Sequence, residues 1–108
     1  MSPITTHVLD TAEGRPAANV AVTLERGPSW TQVGSGHTGD DGRLAELGSA
    51  DAPGHYRLRF DTGAYFAAAG RPTFFPEVTV QFQVEHPEEH HHVPLLLSPF
   101  GYSTYRGS

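Results

Sequence analysis

The stretch that decides the fold is residues 55–84, HYRLRFDTGAYFAAAGRPTFFPEVTVQFQV. It opens on a period-two pattern, with Tyr56, Leu58 and Phe60 on one face and Arg57 and Arg59 on the other. That is the signature of a half-buried strand. At Asp61 the pattern changes. Asp61 or Thr62 offers an N-cap, alanines follow, Gly70 supplies a stop and Pro72 lies just beyond it, so the spacing predicts one short helix. At Val78 the alternation returns, through Val80, Phe82 and Val84.

Strands dominate on both sides of this segment. Ile4–Asp10 is rich in β-branched residues. TAEGRP (11–16) then turns the chain, and Val20, Val22 and Leu24 alternate with Ala21, Thr23 and Glu25. Trp30–His37 reads as the partner of a hairpin, GDDGR (39–43) as a turn, and Leu44–Leu47 as a short strand. After Val84, EHPEEHH (85–91) is a polar loop. His92–Ser98 and Ser103–Arg106 are the last two strands, joined by PFGY (99–102). About eight short strands and one helix predict an all-β sandwich with antiparallel sheets.

The chain has 108 residues, enough for one domain over 1–108 and one core. Its net charge of −5 argues against nucleic acid as a partner, because phosphate binding needs a basic patch. Cysteine is absent, which excludes disulfides, thiolate metal sites and a cysteine nucleophile. All seven basic residues are arginine, so a Schiff-base lysine is excluded too. The longest apolar run, Val93–Leu97, is far shorter than the ~20 residues of a membrane span. MSPITTHVLD carries neither a basic region nor an apolar signal core, so the expected location is cytoplasmic.

Seven histidines in a chain of this size invite sorting. His7 lies mid-strand; if Val8 faces the core, His7 faces out with Thr5 and Leu9. His90 and His92 share one face, and His91 points the other way. Zinc would need a third ligand beside that pair, such as His86 or a glutamate. No carboxylate or cysteine stands at a recognised ligand spacing, so the expectation is no metal and no cofactor. Ser98 and Ser108 lack the Gly-x-Ser-x-Gly elbow of a serine nucleophile. GSGHTGDDG lacks the strand-to-helix setting of a phosphate-cradling loop.

Four stretches carry a resemblance: HVLDTAEGRPAANVAVTLE (7–25), DGR (41–43), TGAYFAAAGRPTFFPEVTVQF (62–82) and HHVPLLLSPFGYSTYRGS (91–108). Over almost its full length the chain resembles the transthyretin-like family, and within it the branch that hydrolyses 5-hydroxyisourate. The terminal Tyr-Arg-Gly-Ser is the most specific mark, since the hormone-carrier branch lacks it. His91 departs from the aromatic residue more usual there. The resemblance implies a sandwich of two four-stranded sheets with one short helix after the fifth strand. The first, fourth, seventh and eighth strands would share a sheet and bring His7, Arg43, His92 and Tyr105 to one face. It also implies a homotetramer in which two such faces enclose a water-poor channel, where electrostatic stabilisation is strongest.

The implied reaction opens the cyclic amide of 5-hydroxyisourate, a small-molecule substrate, during urate degradation. The implied catalytic residues are His7, Arg43, His92 and Ser108; those touching substrate are His7, Arg43 and Tyr105. His7 and His92 would activate water and shuttle protons, in an order the sequence leaves open. Arg43 would bind the polarised carbonyl or the anionic ring through its planar fork, and cannot be the base. Tyr105 would hold the substrate. Ser108 would assist proton transfer or orient a histidine, and would bring a terminal carboxylate that a longer tail would displace. The alternative is a small-ligand carrier of the transthyretin type, whose channel should be apolar or lysine-lined and lack that terminus.

Overall fold

A computed structural model describes residues 2–108, without the side chain of Ser2. Two sheets face each other across the core. The first is built on β1 (Ser2–Asp10), β9 (His91–Ser98) and β10 (Gly101–Thr104). Three two-residue strands pair in turn with the free edge of β1: β2 (Arg15–Pro16), β5 (Arg43–Leu44) and β6 (Ser49–Ala50). The second sheet has the order β4-β3-β7-β8, from Thr31–His37, Ala21–Arg26, Gly54–Phe60 and Val78–Val84. Helix α1 (Thr62–Ala68) connects β7 to β8.

The alternation read from the sequence sets what is buried. Ile4 and Val8 from β1, Val22 and Leu24 from β3, Tyr56, Leu58 and Phe60 from β7, and Leu95 and Leu97 from β9 are all buried in the core. Phe66 closes it from the helix. Asp61 caps α1, its side chain accepting from the Ala64 amide, and Gly70 follows the helix with φ +66°.

The structure departs from the sequence reading in three places. The sheets are not purely antiparallel, because β1 and β9 run parallel, from Ile4 opposite His91 to Asp10 opposite Leu97. The fourth strand of the first sheet is not one strand over Leu44–Leu47 but pieces at Arg43–Leu44 and Ser49–Ala50, so that sheet has six strands rather than four. Between the pieces Gly48 adopts φ +135°, a conformation side-chain-bearing residues avoid, and its carbonyl accepts from the Ile4 amide. The last strand begins earlier and ends at Thr104, because a tight turn at Pro99–Phe100, held by Ser98 Oγ donating to the Gly101 carbonyl, starts the pairing at once. Among the described residues no helix is long and apolar enough to cross a membrane.

Candidate active site

β1 alternates between the two sides of its sheet. Ile4, Thr6, Val8 and Asp10 turn inward, leaving Thr5, His7 and Leu9 on the outer face. On β9, His91, Val93, Leu95 and Leu97 turn inward, leaving His92, Pro94 and Leu96. Parallel pairing sets Thr5 opposite His92, and antiparallel pairing sets His7 opposite Arg43. Three distant segments thus bring two histidines and an arginine to one surface.

The turn before Arg43 is built to deliver it. Asp41 Oδ1 accepts from the Arg43 amide at 3.0 Å, an Asx-type turn. Gly42 has φ +78°, and a Cβ there would collide with the Val8 carbonyl. Its own carbonyl accepts from the Val8 amide at 2.8 Å. The turn also fixes His7, whose Nε2 lies 2.9 Å from the Asp41 carbonyl oxygen. A carbonyl only accepts, so Nε2 carries a proton and donates it, and in the uncharged tautomer the lone pair is then at Nδ1.

The C-terminal segment closes the other side. Beyond Thr104 the register of β9 and β10 reappears at a bridge between His92 and Gly107, whose amide donates to the His92 carbonyl at 2.8 Å. Residues opposite one another share a face, so a side chain at 107 would stand where the His92 ring lies. A Cβ built on Gly107 runs into that ring. Ser108 then lines a cavity of about 250 Å³ with Thr5, Thr6, Arg43, Leu44, Ala45, His90 and His92.

His92 is half-buried, and its Nδ1 lies 2.7 Å from Thr5 Oγ1. Its pKa is lowered below the ordinary histidine value. Burial is the main cause, followed by the positive charges of His90, Arg43 and His7. The ring is therefore neutral near pH 7, and its Nε2 has no hydrogen-bond partner among the described residues. A neutral ring nitrogen beside an arginine can accept a proton from water while the guanidinium holds an anionic oxygen.

The cavity gathers Arg43, His92 and Ser108, and His7 sits beside Arg43. Tyr105 is placed differently. It lines a second hollow of about 310 Å³ with Val80 and Phe82 of β8, and only His92 among the named residues borders both. The neighbouring Arg106 is tied to Glu89 at 3.2 Å. His91 is buried on the opposite side of β9, with Nδ1 unpaired among the described residues. Among the described residues no three of His, Cys, Asp and Glu converge closely enough to hold a metal ion. Sequence reasoning passed over Thr5 and treated His90 only as a possible surface residue or metal ligand. Alternation along TTHVLD already set Thr5 on the face of His7, so the signal was present.

The model of the HIUase/Transthyretin family matches residues 4–107. The chain belongs to that family. It is 50% identical to the 5-hydroxyisourate hydrolase of Salmonella typhimurium, over 97% of this chain and 80% of that one. The solved structure of the 5-hydroxyisourate hydrolase of Klebsiella pneumoniae superposes with a TM-score of 0.90 at 40% identity, covering all of both chains. Transthyretin from Sparus aurata also superposes at 0.90, with 34% identity over 99% of this chain and 97% of that one. Family members named as hydrolase and as transthyretin share this backbone equally well, so the shape of the chain does not by itself fix the activity.

Proposed function

We infer that this protein is a 5-hydroxyisourate hydrolase, opening the cyclic amide of 5-hydroxyisourate in urate degradation. Identity to enzymes of that name over nearly the whole chain supports the reading. The observation that carries it at the level of chemistry is the cavity shared by Arg43, His92 and Ser108, with His7 paired to Arg43 on the adjacent strand. A carrier of apolar ligands has no use for a neutral histidine set beside an arginine.

In the proposed mechanism Arg43 binds the carbonyl oxygen as it gains charge. The free Nε2 of His92 takes the proton from the attacking water, which its lowered pKa permits at neutral pH. The tetrahedral adduct collapses, the ring C–N bond breaks, and the leaving nitrogen receives the proton that His92 took from water, either directly or after it is passed to the free Nδ1 of His7 and on from there. Ser108 orients the water or a histidine, and Tyr105 contacts the substrate from the neighbouring hollow. No metal or cofactor enters the scheme. Residues 1–108 act as one domain within a homotetramer, whose assembly covers the outer face carrying Leu9 and Leu96. Cytoplasmic residence is part of the same proposal, to be checked by cell fractionation.

The test generates 5-hydroxyisourate in the cuvette with urate oxidase and follows its ultraviolet decay. The protein should accelerate that decay, and His7→Asn or His92→Asn should each lower the rate at least about 100-fold. A loss under about threefold at either position removes that histidine from the mechanism. Wild-type protein that leaves decay at its spontaneous rate would return the chain to the carrier reading.

A further inference from the structure

Behind His92 stands a second histidine, reached through one hydroxyl. Thr5 Oγ1 lies 2.7 Å from His92 Nδ1 and 2.8 Å from His90 Nε2, and the two ring centroids are 6.1 Å apart. Thr5 is almost wholly buried, whereas His90 is exposed at the end of the loop leading into β9. No other hydrogen bond engages the Thr5 hydroxyl among the described residues. All three side chains border the cavity that holds Arg43 and Ser108.

A threonine hydroxyl has one proton to give. With both rings neutral it donates to one and accepts from the other, so the two tautomers are linked. If Nε2 of His92 is to be a base, Nδ1 must carry the proton and donate to Thr5, and Thr5 must then donate to His90 Nε2. We propose that Thr5 and His90 form a proton relay behind His92, so that a proton taken up at one end of the His92 ring is released at the other. This rests on the hydrolase reading above.

The steps balance. Water gives a proton to His92 Nε2. The proton on Nδ1 moves to Thr5 Oγ1 as the original Thr5 proton moves to His90 Nε2. His92 ends neutral with its proton on Nε2, and His90 ends as an imidazolium. No ring has to turn. The charge has moved from a half-buried ring facing Arg43 on β5 and His7 on β1 to an exposed one. Glu88 and Glu89 precede His90 in its loop, Glu88 within 3.7 Å of His86 and Glu89 engaged by Arg106. His90 can pass the proton to solvent, or the sequence can run backwards to restore the base. Thr5 and His90 are thus positioning residues that act through His92.

The experiment compares Thr5→Val, Thr5→Ser and His90→Gln with wild type, on kcat, KM and the pH profile. Valine keeps the shape and strand preference of threonine but removes the hydroxyl, and serine restores it. Thr5→Val and His90→Gln should lower kcat at least about tenfold with KM within about threefold, and Thr5→Ser should stay within about threefold of wild type. Nitrogen-15 spectra of the histidine rings, which need no substrate, should show neutral His92 protonated at Nδ1. A His92 protonated instead at Nε2 would overturn the relay, as would Thr5→Val retaining more than half of kcat or Thr5→Ser falling as far as Thr5→Val. Should Thr5→Val fail to fold, His90→Gln at its exposed site decides alone. Wild-type protein without turnover defeats the hydrolase reading, and the spectra still judge the linkage of the two rings.

Discussion

β1 carries two polar clusters, one at Asp10 and one at Thr5 and His7, and they are built on opposite plans. Asp10 is fully buried. Its carboxylate accepts from Arg71 at 2.7 Å, from the Tyr65 hydroxyl at 2.7 Å and from the Glu13 amide at 3.0 Å. Burial alone would raise its pKa, yet these hydrogen bonds outweigh burial and lower it to about 2. Towards the other end of the strand, His7 on β1 and His92, opposite Thr5 on β9, each use one ring nitrogen and leave the other without a partner among the described residues. A polar group whose every bond is made contributes to holding the fold; one left with a free lone pair is ready for a proton. The inward face of the strand received the first kind and the outward face the second.

Asp10→Ala should have the largest effect. It leaves the Arg71 guanidinium, only about a fifth exposed, without its main partner. Breaking such a pair from one side costs roughly 3–5 kcal/mol. Denaturant titrations should show that loss, while kcat of the folded fraction stays within about twofold of wild type. A loss of kcat without a loss of stability would erase the distinction between the clusters. The carboxylate also sets an acid limb. Because its folded pKa lies below its unfolded value, its contribution is complete above the ordinary value of 3.8 and disappears as pH falls toward 2. That contribution, about 2 kcal/mol, should be missing from the acid titration of the variant.

Gly107→Ala probes the other cluster and should act in reverse. The added methyl displaces the His92 ring but touches nothing near Asp10. Misplacing a reacting group by a fraction of an ångström should lower kcat roughly 10- to 100-fold. Thermal unfolding should barely move. A variant that melts much earlier yet turns over normally would make Gly107 a packing residue.

Much of this was written in the chain. Period-two alternation separates His7 from Val8 and His92 from Val93, and Asp61 with Gly70 marks the helix. Two things were not legible. The parallel pairing of β1 with β9 is a contact between residues more than eighty apart, and alternation fixes faces, not neighbours. The Thr5 bridge depends on that register, since it places Thr5 directly opposite His92. Likewise the split of the fourth strand follows from the backbone of Gly48, whose φ of +135° no pattern of side chains announces. Tyr105 shows a further limit. Strand alternation extended past Thr104 puts it on the face of Ser103, while in the folded chain it borders the hollow against β8.

Salt should produce the smallest effect and the sharpest contrast between the clusters. Part of the lowering at His92 comes from charges acting across an open cavity, and the Arg43 side chain is about three-fifths exposed. At 1 M salt the screening length falls to about 3 Å, so those charges should lose most of their hold. NMR titration of His92 should then show its midpoint rising toward the ordinary histidine value, though burial keeps it below. Arg43→Gln should raise the midpoint at low salt and blunt the response to added salt. If His92 is the base, the acid limb of kcat/KM must follow in the same direction, because activity is lost as the ring takes up its proton. The Asp10 carboxyl, bonded directly to Arg71 away from solvent, should titrate at the same pH in both salts. Equal movement of both groups would mean that the two ends of β1 sit in similar dielectric surroundings, and that the free ring nitrogens alone distinguish the proposed catalytic end from the structural one.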